Sequence, residues 1–204
     1  LNDNGSMARR PGLEIFAKEH DLKIGTIADL IHYRTENEST LERISECELP
    51  TEYGDFRLVA FQDRNDNKVH LAVVMGDVSN DEPVLVRVHA RNLLDDVFSS
   101  TRSDCQMPVR EAMKLIAENG RGVLVIIRQD ENNKALAELV HQYQMQDNGV
   151  VIPSIAEKSD AWRTTGTGSQ ILADLGVHKI QVLGPHKTYF GLSGFNLELV
   201  DTPD

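Results

Sequence analysis

The sequence predicts a mixed α/β domain, with an antiparallel β half followed by βαβ units. Three observations predict it. Apolar residues alternate with period two between 41 and 90, the spacing then lengthens to the helical 3.6, and short apolar runs recur between the helical stretches. No internal repeat or low-complexity tract points elsewhere.

Each element follows from its residues. Pro11 suits the first turn of a helix, and LEIFAKEH places Leu13, Phe16 and Ala17 on one side. TIADLIHYR predicts a second helix, with Thr26 as N-cap and Ile27, Leu30 and Ile31 as its apolar stripe. TENESTLE is polar and reads as a linker. ERISECEL, FRLVAFQD, KVHLAVVMGD and PVLVRVHA are strand-like, with a hairpin turn at RNDN, residues 64–67. VREAMKLIAENG is an amphipathic helix ended by Gly120, GVLVIIRQ a buried strand and KALAELVHQYQM the next helix. GSQILADLGV predicts a further helix, KIQVL a strand and FNLELVD a last strand. The GTGS run before Gln170 reads as a cap and turn, or as a phosphate cradle at a helix N-terminus.

Composition narrows the function classes. The 204 residues suffice for one sizeable core plus an appendage, and 40% hydrophobic with 26% charged residues is ordinary for a globular protein. A net charge of −11, without any Lys/Arg cluster, argues against nucleic acid as a partner. No apolar run reaches the roughly 18 residues of a membrane helix. Two cysteines, Cys47 and Cys105, cannot build a disulfide framework, so the cytoplasm is the expected compartment.

The blocks VLVRVHARNLLDDVFSSTRSDCQM, AENGRGVLVIIRQD, QYQMQDNG and GTGSQILADLGVHKIQVL, in that order, resemble GTP cyclohydrolase II over roughly residues 45–200. The front piece, LNDNGSMARRPGLEIFAKEHDLKIGTIADLIHYR, is similar to the C-terminal end of 3,4-dihydroxy-2-butanone 4-phosphate synthase. The resemblance is thus to bifunctional riboflavin biosynthesis proteins. It implies a synthase tail plus linker over 1–40 and a cyclohydrolase-like domain over 41–204. It also implies that the synthase's main body and catalytic acids lie before Leu1.

In the family, zinc held by three cysteine thiolates activates a water that attacks the guanine ring and expels formate; magnesium is also used. Three thiolates leave one tetrahedral position open for that water. The family spacing, Cys, ten residues, Cys-x-Cys, falls here on Asn92, Ser103 and Cys105. An amide and a hydroxyl are weak, hard donors that do not ionise as thiols do, so no metal cofactor is expected. An ion held instead by His89, Cys105, Asp95 or Asp96 would need them to converge, which their spacing opposes.

The substrate positions carry over unevenly. Arg87 matches a substrate-site arginine, Tyr143 the active-site tyrosine, and Arg163 the arginine proposed to attack the phosphate. Asp130 falls on the glutamate of an RQEGRG-like loop, but Asn132 replaces its arginine and Glu131 its glycine. That exchange removes a bidentate phosphate donor and adds a repelling charge. Pro108 and Ile152 stand where a base-contacting glutamine and a threonine belong, and Lys187 is a shifted equivalent of a late lysine. The family's aspartate near Arg163 is Ala161, with Asp160 one step away.

Each retained residue also has an ordinary structural use: an arginine can pair with acidic neighbours, and Tyr143 fits a core stripe with Leu139 and Val140. The resemblance therefore implies a folded cyclohydrolase-like domain without zinc-dependent ring opening. A structural or regulatory role for a synthase in cis follows, with a GTP-like nucleotide as possible ligand and a homodimer as the assembly. The alternatives are an active enzyme with an altered metal site, or a nucleotide-binding regulatory module.

Overall fold

The structure, a computed structural model, describes residues 5–25, 30, 40–98, 100, 102, 107–128, 133–150, 155–184 and 192–200, without the side chains of 95, 155–163 and 193. The chain falls into two compact units, Leu1–Glu38 and Ser39–Asp204.

In the first unit, α1 spans Arg10–Glu19, with Pro11 in its opening turn and an Arg10–Glu14 ion pair one turn apart at 2.8 Å. Ala17 of the expected stripe is buried, whereas Leu13 and Phe16 are exposed. The helix expected from TIADLIHYR lies, apart from Leu30, outside the described residues.

The second unit is built on one seven-stranded sheet. Its strands are β1 (Leu41–Thr51), β2 (Gly54–Asp63), β3 (Val69–Met75), β4 (Val84–Ala90), β5 (Gly122–Ile127), β6 (Lys179–Val182) and β7 (Glu198–Leu199). Their order is β1-β2-β3-β5-β4-β6-β7. β1, β2 and β3 form an antiparallel meander, and β3 joins β5 antiparallel. β5, β4, β6 and β7 run parallel. The β1–β2 register shifts between Arg43 and Ser45, a bulge on the edge strand.

Helices cover both faces of the sheet. α2 (Leu93–Phe98) and α3 (Val109–Asn119) follow β4, and α4 (Asn133–Asp147) and α5 (Ile155–Asp174) follow β5. Alternation along a strand sends Val123, Val125 and Ile127 one way, to Ile171 and Leu172 of α5 and to Leu175 just beyond it. It sends Leu124 the other way, to Ala112 and Ile116 of α3. A strand covered on both faces must be apolar throughout, which is why GVLVII is an uninterrupted run.

Three expectations differ from the structure. FNLELVD forms a strand only at Glu198–Leu199, after a 3₁₀ turn at Leu192–Phe195. The short α2 was not anticipated. GTGS is neither cap nor cradle: it lies inside α5, where backbone N–H groups are used along the helix. Gly168 is there for contact. A Cβ on it would stand 2.9 Å from Cγ1 and 3.0 Å from Cγ2 of Val88, so α5 crosses β4 closer than any side chain allows.

Candidate functional site

The carboxyl ends of β4, β5 and β6 meet at one edge of the sheet, as their parallel register requires: Ala90 lies beside Ile127, and Val86 beside Val182. β4 lies between β5 and β6, with the chain passing from it to β5 on one side and later reaching β6 on the other. Such a switch point opens a crevice outside the strand ends, where open α/β sheets take ligands. The antiparallel β2–β3 turn shares this edge, because Leu71 pairs with Ile126.

On β4, residues two apart share a face, and Arg87 and His89 follow Leu85 on the α3 side. Both are buried, at 3% and 7% exposure. Arg87 continues past the end of β6: Nη1 donates to the Leu183 carbonyl at 3.3 Å and Nη2 to that of Met107 at 3.4 Å. Gly184, at φ +127°, leaves room for it, since a Cβ there would lie 2.9 Å from Arg87 Nη1. A buried guanidinium is thus packed against the two connections that flank the crevice.

His89 works with the start of α2. Its Nε2 lies 2.7 Å from Asp96 Oδ1, and an ionised carboxylate only accepts, so Nε2 carries the shared hydrogen. Asp96 Oδ2 accepts the N–H of Asn92 at 3.1 Å, while Asn92 Oδ1 accepts the N–H of Leu94 at 3.1 Å. The Asn92 side chain thus caps the first turn of α2 while the Asp96 carboxylate returns to the Asn92 N–H. Asn92, the first of the expected ligand positions, is therefore the helix N-cap.

Farther along the same connection, Arg102 reaches α4. Its guanidinium lies 4.3 Å from the ring centroid of Tyr143. Nη2 also donates to the Tyr143 carbonyl at 3.4 Å, Gln146 Oε1 at 3.1 Å and Asp147 Oδ1 at 3.0 Å. The connection from β4 to α3 is thus a common neighbour of Arg87, through Met107, and of Tyr143, through Arg102.

Ser103, Cys105, Asp130 and Lys187 lie outside the described residues, as do Gln106, Glu131, Asn132 and Ile152. The backbone of Arg163 lies within α5, together with that of Asp160 and Ala161. Sequence reasoning weighed Asp96 only as a metal donor and passed over Arg102, although its place beside Ser103 marked it. Among the described residues, no three His, Cys, Asp or Glu side chains could hold a metal ion, and no helix is long and apolar enough to cross a membrane.

Comparison with known proteins adds a family. The model of the family described as GTP cyclohydrolase II matches residues 42–203. A protein of Pseudomonas syringae pv. tomato called 3,4-dihydroxy-2-butanone 4-phosphate synthase is 42% identical over 203 residues, covering 99% of this chain and 54% of that protein. The riboflavin biosynthesis protein RibBA of Aquifex aeolicus is 41% identical over 207 residues, 98% of this chain and 51% of its own. Among solved structures, RibBX of A. baumannii, described as a two domain 3,4-dihydroxy-2-butanone 4-phosphate synthase, is 39% identical with a TM-score of 0.57. It aligns with 100% of this chain and 52% of its own, so the chain spans about half the length of the relatives it matches.

Proposed function

Since the chain belongs to the GTP cyclohydrolase II family, we propose that it is a member that has lost zinc-dependent ring opening of GTP. It then serves riboflavin biosynthesis as a structural or regulatory domain of a 3,4-dihydroxy-2-butanone 4-phosphate synthase joined to it through residues 1–40. The reading includes a homodimer and no metal of its own.

The observation that carries it is the state of Asn92. Asn92 offers a neutral amide oxygen where the family spacing calls for a thiolate, and that Oδ1 accepts the Leu94 N–H inside the cap. His89 Nε2 and Asp96 Oδ1 pair at 2.7 Å, and among the described residues no three His, Cys, Asp or Glu side chains could hold a metal ion. The described residues therefore do not assemble a three-donor zinc site.

Zinc analysis and a formate-release assay on the purified protein test the loss of activity. One zinc per chain with turnover of GTP overturns it. The regulatory half is tested by measuring synthase activity in the joined protein with and without residues 41–204; equal activity and equal stability leave the domain without that role.

A second reading, a nucleotide-binding module, is favoured by Arg87, whose buried guanidinium stands at the crevice on bonds of 3.3 and 3.4 Å to carbonyls. An anionic ligand would be a stronger acceptor for a guanidinium than a neutral carbonyl. Tyr143 and, from the resemblance, Asp130, Arg163 and Lys187 complete the candidate contacts. Calorimetry with GTP decides: no heat leaves the scaffold reading alone.

A further inference from the structure

His70 takes no part in anything described so far, yet its ring is 3% exposed on β3. Its Nδ1 lies 3.2 Å from the backbone nitrogen of Arg128. An N–H can only donate, so Nδ1 must be the unprotonated ring nitrogen and Nε2 must carry the hydrogen. Arg128 is the first residue after β5, and the connection it opens holds Asp130 two positions later. The ring's other surroundings are set by the β2–β3 turn at the same sheet edge. Asp63 and Asp66 face it with negative charge, Lys68 and Arg128 with positive. The Asp66 carboxylate is in turn held by Lys68, whose Nζ lies 3.1 Å from Oδ2 and whose N–H donates to Oδ1 at 3.0 Å.

From this geometry we infer that His70 is a proton-sensitive clasp: as the neutral Nε2–H tautomer it fixes where the chain leaves β5, and on protonation it releases the Arg128 amide. The released end is the point where the chain leaves β5, at the carboxyl ends of the parallel strands. His70 is thus a positioning residue that makes the site edge respond to mild acid. Burial holds the imidazole below its ordinary value, with Lys68 and Arg128 adding to the effect and Asp63 and Asp66 opposing it. A released ring titrates nearer the ordinary value of about 6.5, so acidification favours release.

The test uses the intact protein. Nitrogen NMR of the imidazole at pH 8 is expected to show the Nε2–H tautomer; the Nδ1–H tautomer overturns the inference directly, without any variant. Hydrogen exchange at the Arg128 amide, corrected for intrinsic rates, is expected to lose protection by up to about tenfold per pH unit below pH 6.5. His70→Asn, which places an uncharged acceptor oxygen close to the Nδ1 position, is expected to keep the protection and abolish its pH dependence. His70→Phe, without an acceptor, is expected to lose protection at every pH. Protection that is flat with pH in the unaltered protein, or that still falls with acid in His70→Asn, refutes the clasp.

Discussion

Single residues at the head of α2 carry more than their sequence positions announce. Asp96 binds two partners that both precede it in the chain, His89 seven residues back and Asn92 four residues back. Asp96→Ala leaves the Asn92 N–H and a buried imidazole N–H without acceptors, and is expected to destabilise the domain by about 1–3 kcal/mol. Asp96→Asn keeps one acceptor oxygen and should lose less; chemical denaturation of the two variants measures the order. At Gly168, an added methyl must displace Val88, so Gly168→Ala is expected to cost about 1–3 kcal/mol. Combining it with Val88→Ala should recover part of that loss, and purely additive effects in the double variant would show that the two residues do not meet. Family likeness pointed to Asn92 as a former ligand, and it does open the connection. That its amide caps a helix was not legible, because the cap depends on an α2 that six residues without a strong apolar period do not declare.

At the level of elements, β1 to β4 were readable from period-two alternation and β5 from a short uninterrupted apolar run between turn residues. The helical glycines were not readable. Gly166, Thr167, Gly168 and Ser169 are poor helix formers, at about 0.5–1 kcal/mol each relative to alanine, and local propensity argues for a turn. Packing overrides it, since a small residue at 168 lets α5 lie against β4. α4 shows the opposite balance. Its sequence is a good helix, yet none of its residues is buried, and Leu136 and Val140 stay exposed. Arg102 is then a principal fastening of its last turns, stacking on Tyr143 and reaching Gln146 and Asp147. Arg102→Ala is expected to raise amide exchange across 141–147 with little change in the sheet. Arg102→Lys should restore only part of the protection, because an ammonium cannot lie flat on the ring while forking to several acceptors. Unchanged exchange in the alanine variant would mean that other contacts hold α4.

Across the whole molecule, the edge where the parallel strands end could be located from the βαβ order alone, since connections at a switch point must leave there. The polar balance of that edge could not, because it joins residues such as His70 and Arg128 that are far apart in the chain and adjacent only across β3 and β5. This balance sets how the fold answers to acid. His70 is held below its ordinary value by burial, so the unfolded chain takes up a proton at higher pH than the folded one does. Its contribution is complete above pH 6.5 and is lost as pH falls toward the folded value. Two carboxylates act in the same direction lower down. Burial alone would raise Asp66, but the hydrogen bonds and charge of Lys68, with that of His70, bring it below 3.8. Hydrogen bonds from the Ser79 hydroxyl and N–H lower Asp77 from the same value. Their contributions are present above pH 3.8 and disappear as pH falls through the lowered values. Thermal denaturation between pH 8 and pH 3 is therefore expected to show a plateau above 6.5, a first decline below it and a second below 3.8. His70→Asn should remove the first decline and leave the second. A single decline confined to pH below 3.8 in the unaltered protein would mean that the imidazole does not titrate with folding.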